Sequence, residues 1–222
     1  VECIHSYSLI HDDLPCMDND KIRRGKPSTH IKFGEASAVL AGNSLLTLAF
    51  EIIADKNYSI NPKLKNQIIK SLAFCSGHTG IAGGQELDLK FENKKKGLRQ
   101  IIAMQKKKTG KLFNFCLYAV GVIAKRNNKE KILLSTLGEE IGLLFQFADD
   151  FLDVKGSRKL VGKPIKKDNK KGKSTLLSLM GYEKAHNYAN NLKKKILLKL
   201  KKHGKKAKDL SDTIEFILGR NF

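Results

Sequence analysis

The 222-residue sequence is sparing with proline and cysteine, four of each, and carries 22 acidic residues against 42 lysines and arginines. The shortage of proline, beside abundant Leu, Ile, Ala and Lys, favours helix over sheet. Cys3, Cys16, Cys75 and Cys116 form no CxxC pair and no Cys/His spacing of a structural metal site. They read as reduced thiols of a cytosolic protein rather than a disulfide framework. No run of apolar residues approaches the roughly 20 that span a bilayer, and no signal peptide precedes the first motif, so a soluble, cytoplasmic chain is expected. No segment alternates as a strand does, and no internal repeat or linker divides the chain.

What is abundant is positive charge. A formal net charge of +20 attracts polyanions in general, whether nucleic acid, an anionic membrane or phosphorylated metabolites. The lysines cluster at 94–96, 106–108, 166–173, 193–195 and 199–206, and such runs are ordinarily solvated faces. Charge alone identifies no partner.

Helical periodicity runs almost throughout. Segment 1–13 is apolar and stops near Pro15. Residues 35–54 are hydrophobic almost all round, which predicts a helix buried on most sides. Asn61-Pro62 opens a helix over 62–81 that ends before Gly83-Gly84. Further helices are expected over 98–124 and 129–154, followed by a lysine-rich loop over 155–173. Ser174-Thr175 caps another helix, and 182–202 and 208–219 supply two more. The expected architecture is all-α: a single bundle of long, mostly antiparallel helices around a central active-site cavity, one domain over 1–222. Val1 to Ile10 already look like the middle of a helix, so the expectation is that N-terminal helices are missing.

Two carboxylate clusters carry the chemistry. One is His11-Asp12-Asp13-Leu14-Pro15-Cys16-Met17-Asp18-Asn19-Asp20; the other is Gln146-Phe147-Ala148-Asp149-Asp150-Phe151-Leu152-Asp153. Asp149 and Asp153, four apart, share a helix face. Two carboxylates facing one space repel unless a cation lies between them, and Mg²⁺ favours one or two carboxylates plus phosphate oxygens and water. In the first cluster Pro15 breaks the helix, and the loop returns Asp18 towards Asp12. Taken alone, either cluster has a plainer alternative, a solvated acidic turn or an N-cap run. The second, however, is embedded in Leu143, Leu144, Phe145 and Phe147, where charges need partners. Arg23-Arg24-Gly25 follows the first cluster, and arginine grips phosphate bidentately. An exposed pair neutralising its acidic neighbours is the plainer alternative.

The order DDxxxxD, RRG, Gly83-Gly84-Gln85-Glu86-Leu87-Asp88-Leu89, Lys108-Thr109-Gly110, FQxxDDxxD, Gly162-Lys163 and Gly172-Lys173-Ser174-Thr175 resembles the polyprenyl synthetase family over essentially the whole chain. It is particularly similar to the bacterial farnesyl diphosphate synthases. The resemblance implies a Mg²⁺-dependent transferase joining isopentenyl diphosphate to dimethylallyl or geranyl diphosphate, with three Mg²⁺ ions and a homodimer. It implies metal ligands at Asp12, Asp18, Asp149 and Asp153, and diphosphate grips at Arg23 and Arg24. Lys108 and Lys163 would hold the allylic diphosphate, and Thr109 and Gln146 would line the nascent cation. Tyr7, with Ser8, would set the floor of the product tunnel at fifteen carbons. The family also uses a Gly-Lys-x-x-Arg segment and a downstream His or Gln before the first cluster, and this chain is read as having neither. Two other readings stand beside the enzyme: a non-catalytic partner subunit of the same family, and a basic helical nucleic-acid-binding protein.

Overall fold

The structure is a computed structural model that describes residues 1–155 and 174–219. The expected 155–173 loop, with Lys163, Gly162 and Gly172-Lys173, lies almost wholly outside the described residues. The rest is all-α apart from one two-residue hairpin. In chain order the helices are α1 Glu2–Asp12, α2 Thr29–Phe33, α3 Glu35–Ala54, α4 Pro62–Ser76, α5 Ile81–Phe91, α6 Leu98–Gln105, α7 Lys111–Ile123 and α8 Asn128–Lys155. After the undescribed segment come α9 Leu176–Met180, α10 Tyr182–Lys201 and α11 Lys208–Gly219.

Local chemistry sets two of the helix starts. Asn61 caps α4 by accepting from the Lys63 amide, with Pro62 in the first turn, where its missing N–H costs nothing. Thr175 caps α9 in a reciprocal box: its Oγ1 accepts from the Ser178 amide at 3.0 Å while Ser178 Oγ accepts from the Thr175 amide at 2.9 Å.

Three sequence expectations need correction. The helix expected over 62–81 stops at Ser76, and Gly83-Gly84 lie inside α5 rather than ending a helix. The glycines serve close approach: a Cβ on Gly84 would stand 2.2 Å from the Lys108 amide nitrogen, and one on Gly83 1.8 Å from the His78 carbonyl oxygen. The helix expected over 98–124 is interrupted by a π-helical turn, Lys106–Gly110, an irregularity frequent at functional sites. The third concerns α3, which buries Ala38, Gly42 and Ala49 in a single stripe and leaves Leu40 64% and Ile52 42% exposed. By length and composition α3 is also apolar enough to cross a membrane, because Asn43, Ser44 and Thr47 interrupt the run without making it polar on average. The helix packs on α1 and α4, with α2 against it as well.

Two apolar clusters hold the bundle. One joins α6, α8, α9, α10 and α11 through residues such as Ile101, Leu144, Phe147, Ile196 and Ile214. The other joins α1, α3, α4 and α7 through Ile4, Tyr7, Leu72, Phe115 and Val122. Between α7 and α8 the backbones come close, since a Cβ on Gly138 would lie 2.4 Å from the Phe113 carbonyl oxygen, and one turn on a Cβ on Gly142 would lie 2.7 Å from the Gly110 Cα. That approach brings the π-helical turn against the middle of α8.

Candidate functional site

A cavity of about 720 Å³ opens where α1, α5, the π-helical turn, α7 and α8 meet, and it touches both apolar clusters through Tyr7 and Met104. Its mouth is acidic and cationic, and its wall is apolar. Asp12, Asp18, Asp149 and Asp153 all line it, as do Arg23, Lys108, Thr109 and Gln146. The two clusters, far apart in sequence, therefore face one hollow.

The first cluster is shaped by backbone hydrogen bonds that turn the chain back on α1. The Asp18 amide donates to the Asp12 carbonyl at 2.9 Å, and the Asp20 amide donates to that of Asp13 at 3.1 Å. The hairpin follows, pairing Ile22 with Pro27 and Arg23 with Lys26. Its two central residues, Arg24 and Gly25, both have positive φ, 52° and 74°. A two-residue turn whose twist matches its strands demands this, and Gly25 supplies it freely. Arg23 then points inward and Arg24 outward.

Arg23 Nε donates to both carboxylate oxygens of Asp13 at 3.1 Å, and its Nη2 also reaches Asp13. Asp20 and Asp12 stand 3.6 and 3.9 Å from the same Nη2. Burial pushes the Asp13 carboxyl above its ordinary range, although the hydrogen bonds and charge of Arg23 oppose this. Burial also works against the charged form of Arg23, but Asp13, Asp12 and Asp20 outweigh it and hold the guanidinium above its usual value. Lys108 Nζ donates to Asp88 at 2.8 Å and to Asp12 at 3.3 Å. The cations thus neutralise the carboxylates across the mouth.

Thr109 and Gln146 meet as well. Thr109 Oγ1 donates to Gln146 Oε1 at 3.2 Å. Both line the cavity, the threonine on the π-helical turn and the glutamine on α8. Tyr7 and Ser8, on α1, line the cavity with His11. The Tyr7 ring packs edge-on to His11 at 5.5 Å between centroids, and burial holds its phenol above the ordinary value. His11 Nε2 is 3.1 Å from the Val39 carbonyl of α3.

Arg24 does not line the cavity; its Nη2 lies 3.3 Å from Nε2 of His5, which does. The chain therefore does carry a histidine before the first cluster, contrary to the sequence reading. Nothing in helical spacing marks His5; only the hairpin brings Arg24 against it. Burial lowers the His5 pKa, partly opposed by Glu2 and reinforced by Arg24 and Arg23. The shift favours the neutral imidazole. Sequence reasoning also misses Asp88 and Asp150 as site residues. Each is a buried carboxylate, 7% and 4% exposed. That pattern is a legible signal that a charge has partners.

Mg²⁺ fits the donor set. Among the described residues no three His, Cys, Asp or Glu side chains converge closely enough to hold a metal by themselves. The cavity presents hard carboxylate oxygens in ones and twos, the provision suited to an ion that keeps water and takes substrate phosphate oxygens.

Comparison with known proteins bears on the same region. The polyprenyl synthetase family model matches residues 1–215. The chain is 41% identical over 186 residues to the farnesyl diphosphate synthase of Bacillus subtilis (strain 168), covering 83% of this chain and 63% of that protein. It is 40% identical over 227 residues to the farnesyl diphosphate synthase of Escherichia coli (strain K12), covering 100% of this chain and 76% of that one. The apo structure of an FPP/GFPP synthase from Zymomonas mobilis superposes with a TM-score of 0.87 at 41% identity, over 97% of this chain and 73% of that chain. A geranyltransferase from Helicobacter pylori complexed with magnesium and isoprenyl diphosphate gives a TM-score of 0.86 at 36% identity, over 98% of this chain and 71% of that one.

Proposed function

The chain belongs to the polyprenyl synthetase family, and from that premise we propose that it is a prenyl transferase condensing isopentenyl diphosphate with dimethylallyl or geranyl diphosphate to give farnesyl diphosphate. The observation that carries the reading is the shared cavity: Asp12 and Asp18 face Asp149 and Asp153 across a hollow whose deeper wall is apolar.

Asp12, Asp18, Asp149 and Asp153 would hold Mg²⁺, three ions by the family resemblance. When bound, the metal neutralises diphosphate charge and makes it a better leaving group. Lys108, released from Asp88 and Asp12, binds diphosphate oxygens, as does Arg23. Arg24, beside His5, binds the second diphosphate. The C–O bond of the allylic substrate then breaks, and the electron pair leaves with the diphosphate. Thr109 and Gln146 place oxygen dipoles along the wall, where positive charge develops. The apolar lining from Met104, Leu112, Phe113 and Phe145 excludes water from that charge. The isopentenyl double bond forms the new C–C bond, and a proton leaves to the departing diphosphate. Lys163, outside the described residues, completes the diphosphate grip in this reading.

Tyr7 and Ser8 would close the tunnel at fifteen carbons. A second copy of this chain would cover the outward apolar side of α3, where Val39, Leu40, Leu48 and Ile52 are exposed. In this reading the protein works in the cytoplasm; Cys3, Cys16, Cys75 and Cys116 are free thiols, as expected there.

The test is turnover of geranyl diphosphate with isopentenyl diphosphate, read by chromatography of the dephosphorylated product. A C15 product that disappears on chelation and returns with Mg²⁺ is expected. The chain spans 63% of the Bacillus subtilis enzyme's length and 65% of that of the Micrococcus luteus farnesyl diphosphate synthase. A folded chain that binds Mg²⁺ and pyrophosphate yet never turns over would favour a non-catalytic partner subunit instead.

A further inference from the structure

We propose that Asp150 is a positioning residue that fixes the direction of a hydrogen-bond relay, so that Thr109 presents oxygen lone pairs to the cavity; the proposal rests on the prenyl transferase reading. Asp150 stands between two candidate metal ligands in sequence but not in space. It is 4% exposed, and it is absent from the cavity wall that Asp149 and Asp153 line. A step of one residue along a helix rotates the side chain by roughly 100°. Asp150 therefore points into the packing between α8 and α9. There its Oδ2 accepts from the Leu176 amide at 2.9 Å and from the Leu177 amide at 3.4 Å. Its Oδ1 accepts from Gln146 Nε2, one turn earlier on α8, at 3.4 Å.

The direction follows from donor and acceptor capacity. An ionised carboxylate only accepts, so the Gln146 carboxamide must turn its NH₂ towards Asp150. Its oxygen then faces Thr109, whose single O–H proton is committed to that oxygen at 3.2 Å. The remaining lone pairs of Thr109 are directed away from Gln146, on a residue that lines the cavity. Negative dipole ends fixed before reaction stabilise developing positive charge without reorganisation. The same carboxylate ties the first turn of α9 to α8, next to Ser174 and Thr175, which line the cavity.

The test reverses the relay and then restores it. In Asp150→Asn the new side chain still offers an oxygen to the Leu176 amide but turns its NH₂ to Gln146, whose carboxamide then flips and donates to Thr109. Adding Gln146→Glu supplies an acceptor-only group that takes protons from both the new carboxamide and Thr109. Expected is a fall in kcat of about 10- to 100-fold in Asp150→Asn, less than the roughly 100- to 1,000-fold that outright loss of one preorganised donor costs. The Mg²⁺ midpoint should stay unchanged, and the double variant should recover part of the rate. Asp149→Asn, by contrast, should move the Mg²⁺ midpoint upwards. The proposal is overturned if Asp150→Asn moves that midpoint as Asp149→Asn does, if kcat is unaffected, or if the double variant is no faster than Asp150→Asn.

Thermal melting of the same set covers the case in which the wild type shows no turnover, which would defeat the enzyme reading alone. Gln146→Glu by itself places two carboxylates together and should lower the melting temperature. The double variant should melt closer to the wild type than either single one. Additive losses would remove the relay whatever the activity.

Discussion

Tyr7 is the residue on which product length turns in the proposed reaction. Its ring is 8% exposed, lines the cavity and leans edge-on against His11, which is itself braced on the Val39 carbonyl. Removing the ring leaves a hollow at that end of the wall, while His11 and its brace remain. Tyr7→Ala is therefore expected to yield products longer than fifteen carbons in the chromatographic assay. The cost in stability should be about 3–5 kcal/mol, the range for truncating a large core aromatic. An unchanged C15 product from a folded variant would remove Tyr7 from the length-setting role. The buried phenol stays protonated across the working pH range, so this effect carries no pH dependence of its own. Cys75, raised to about 11 mainly by burial, is similarly inert and packs as a small apolar side chain. Asp12, Thr109 and Gln146, which the resemblance to the family singles out through their motifs, all line the cavity. His5 was not legible in the sequence, because its significance depends on Arg24, nineteen positions away, and on a two-residue hairpin that no periodicity marks.

At the scale of elements, two contacts position the site. The first is backbone against backbone: α5 meets the π-helical turn at Gly84, where a Cβ would stand 2.2 Å from the Lys108 amide nitrogen and 2.5 Å from its Cα. Neither atom can swing aside as a side chain would. Gly84→Ala is expected to destabilise the fold by about 1–3 kcal/mol or more through overpacking. It should also displace Lys108 and Thr109, lowering kcat in proportion beyond the stability loss; denaturant melts beside initial rates measure the two. The second contact ties α8 to α10. Glu140, 8% exposed, accepts from Lys199 at 2.6 and 2.7 Å and lies 3.0 Å from Lys195. Burial raises the Glu140 pKa, but the hydrogen bonds and charges of Lys199 and Lys195 outweigh it and leave the carboxyl below its ordinary value. A depressed folded-state pKa means stability that is fully present above the unfolded value near about 4.3 and is lost as the pH falls through the folded one. Glu140→Gln should therefore cost about 1–3 kcal/mol near neutrality, the scale of hydrogen bonds to charged groups. The difference from wild type should shrink to nothing in acid, read by denaturant melts at several pH values. Helical periodicity marked these elements well, but it placed the double glycine at a helix end. Spacing records that two glycines are adjacent; it cannot show that a neighbouring backbone needs the room.

For the whole molecule the telling feature is α3, twenty residues long and apolar, with only Ala38, Gly42 and Ala49 buried. An exposed apolar surface of this kind marks an interaction site. In the homodimer reading, Leu40→Asp together with Leu48→Glu should give a folded monomer by sedimentation equilibrium, where the wild type sediments as a dimer. A wild type that is monomeric at all concentrations would end that reading. The sequence by itself determined the helical class, the positions of most helices, and the two aspartate clusters with their flanking Arg, Lys, Thr and Gln residues. These are local matters of periodicity, capping and side-chain type. Only the tertiary structure decided that both clusters face one cavity, that Arg23 and Lys108 are already paired with Asp13 and Asp88, and that Asp150 turns away from its neighbours. It also decided that much of α3 stays uncovered. Burial and pairing depend on what stands opposite a residue, and that is a property of packing between distant segments rather than of the order in which residues follow one another.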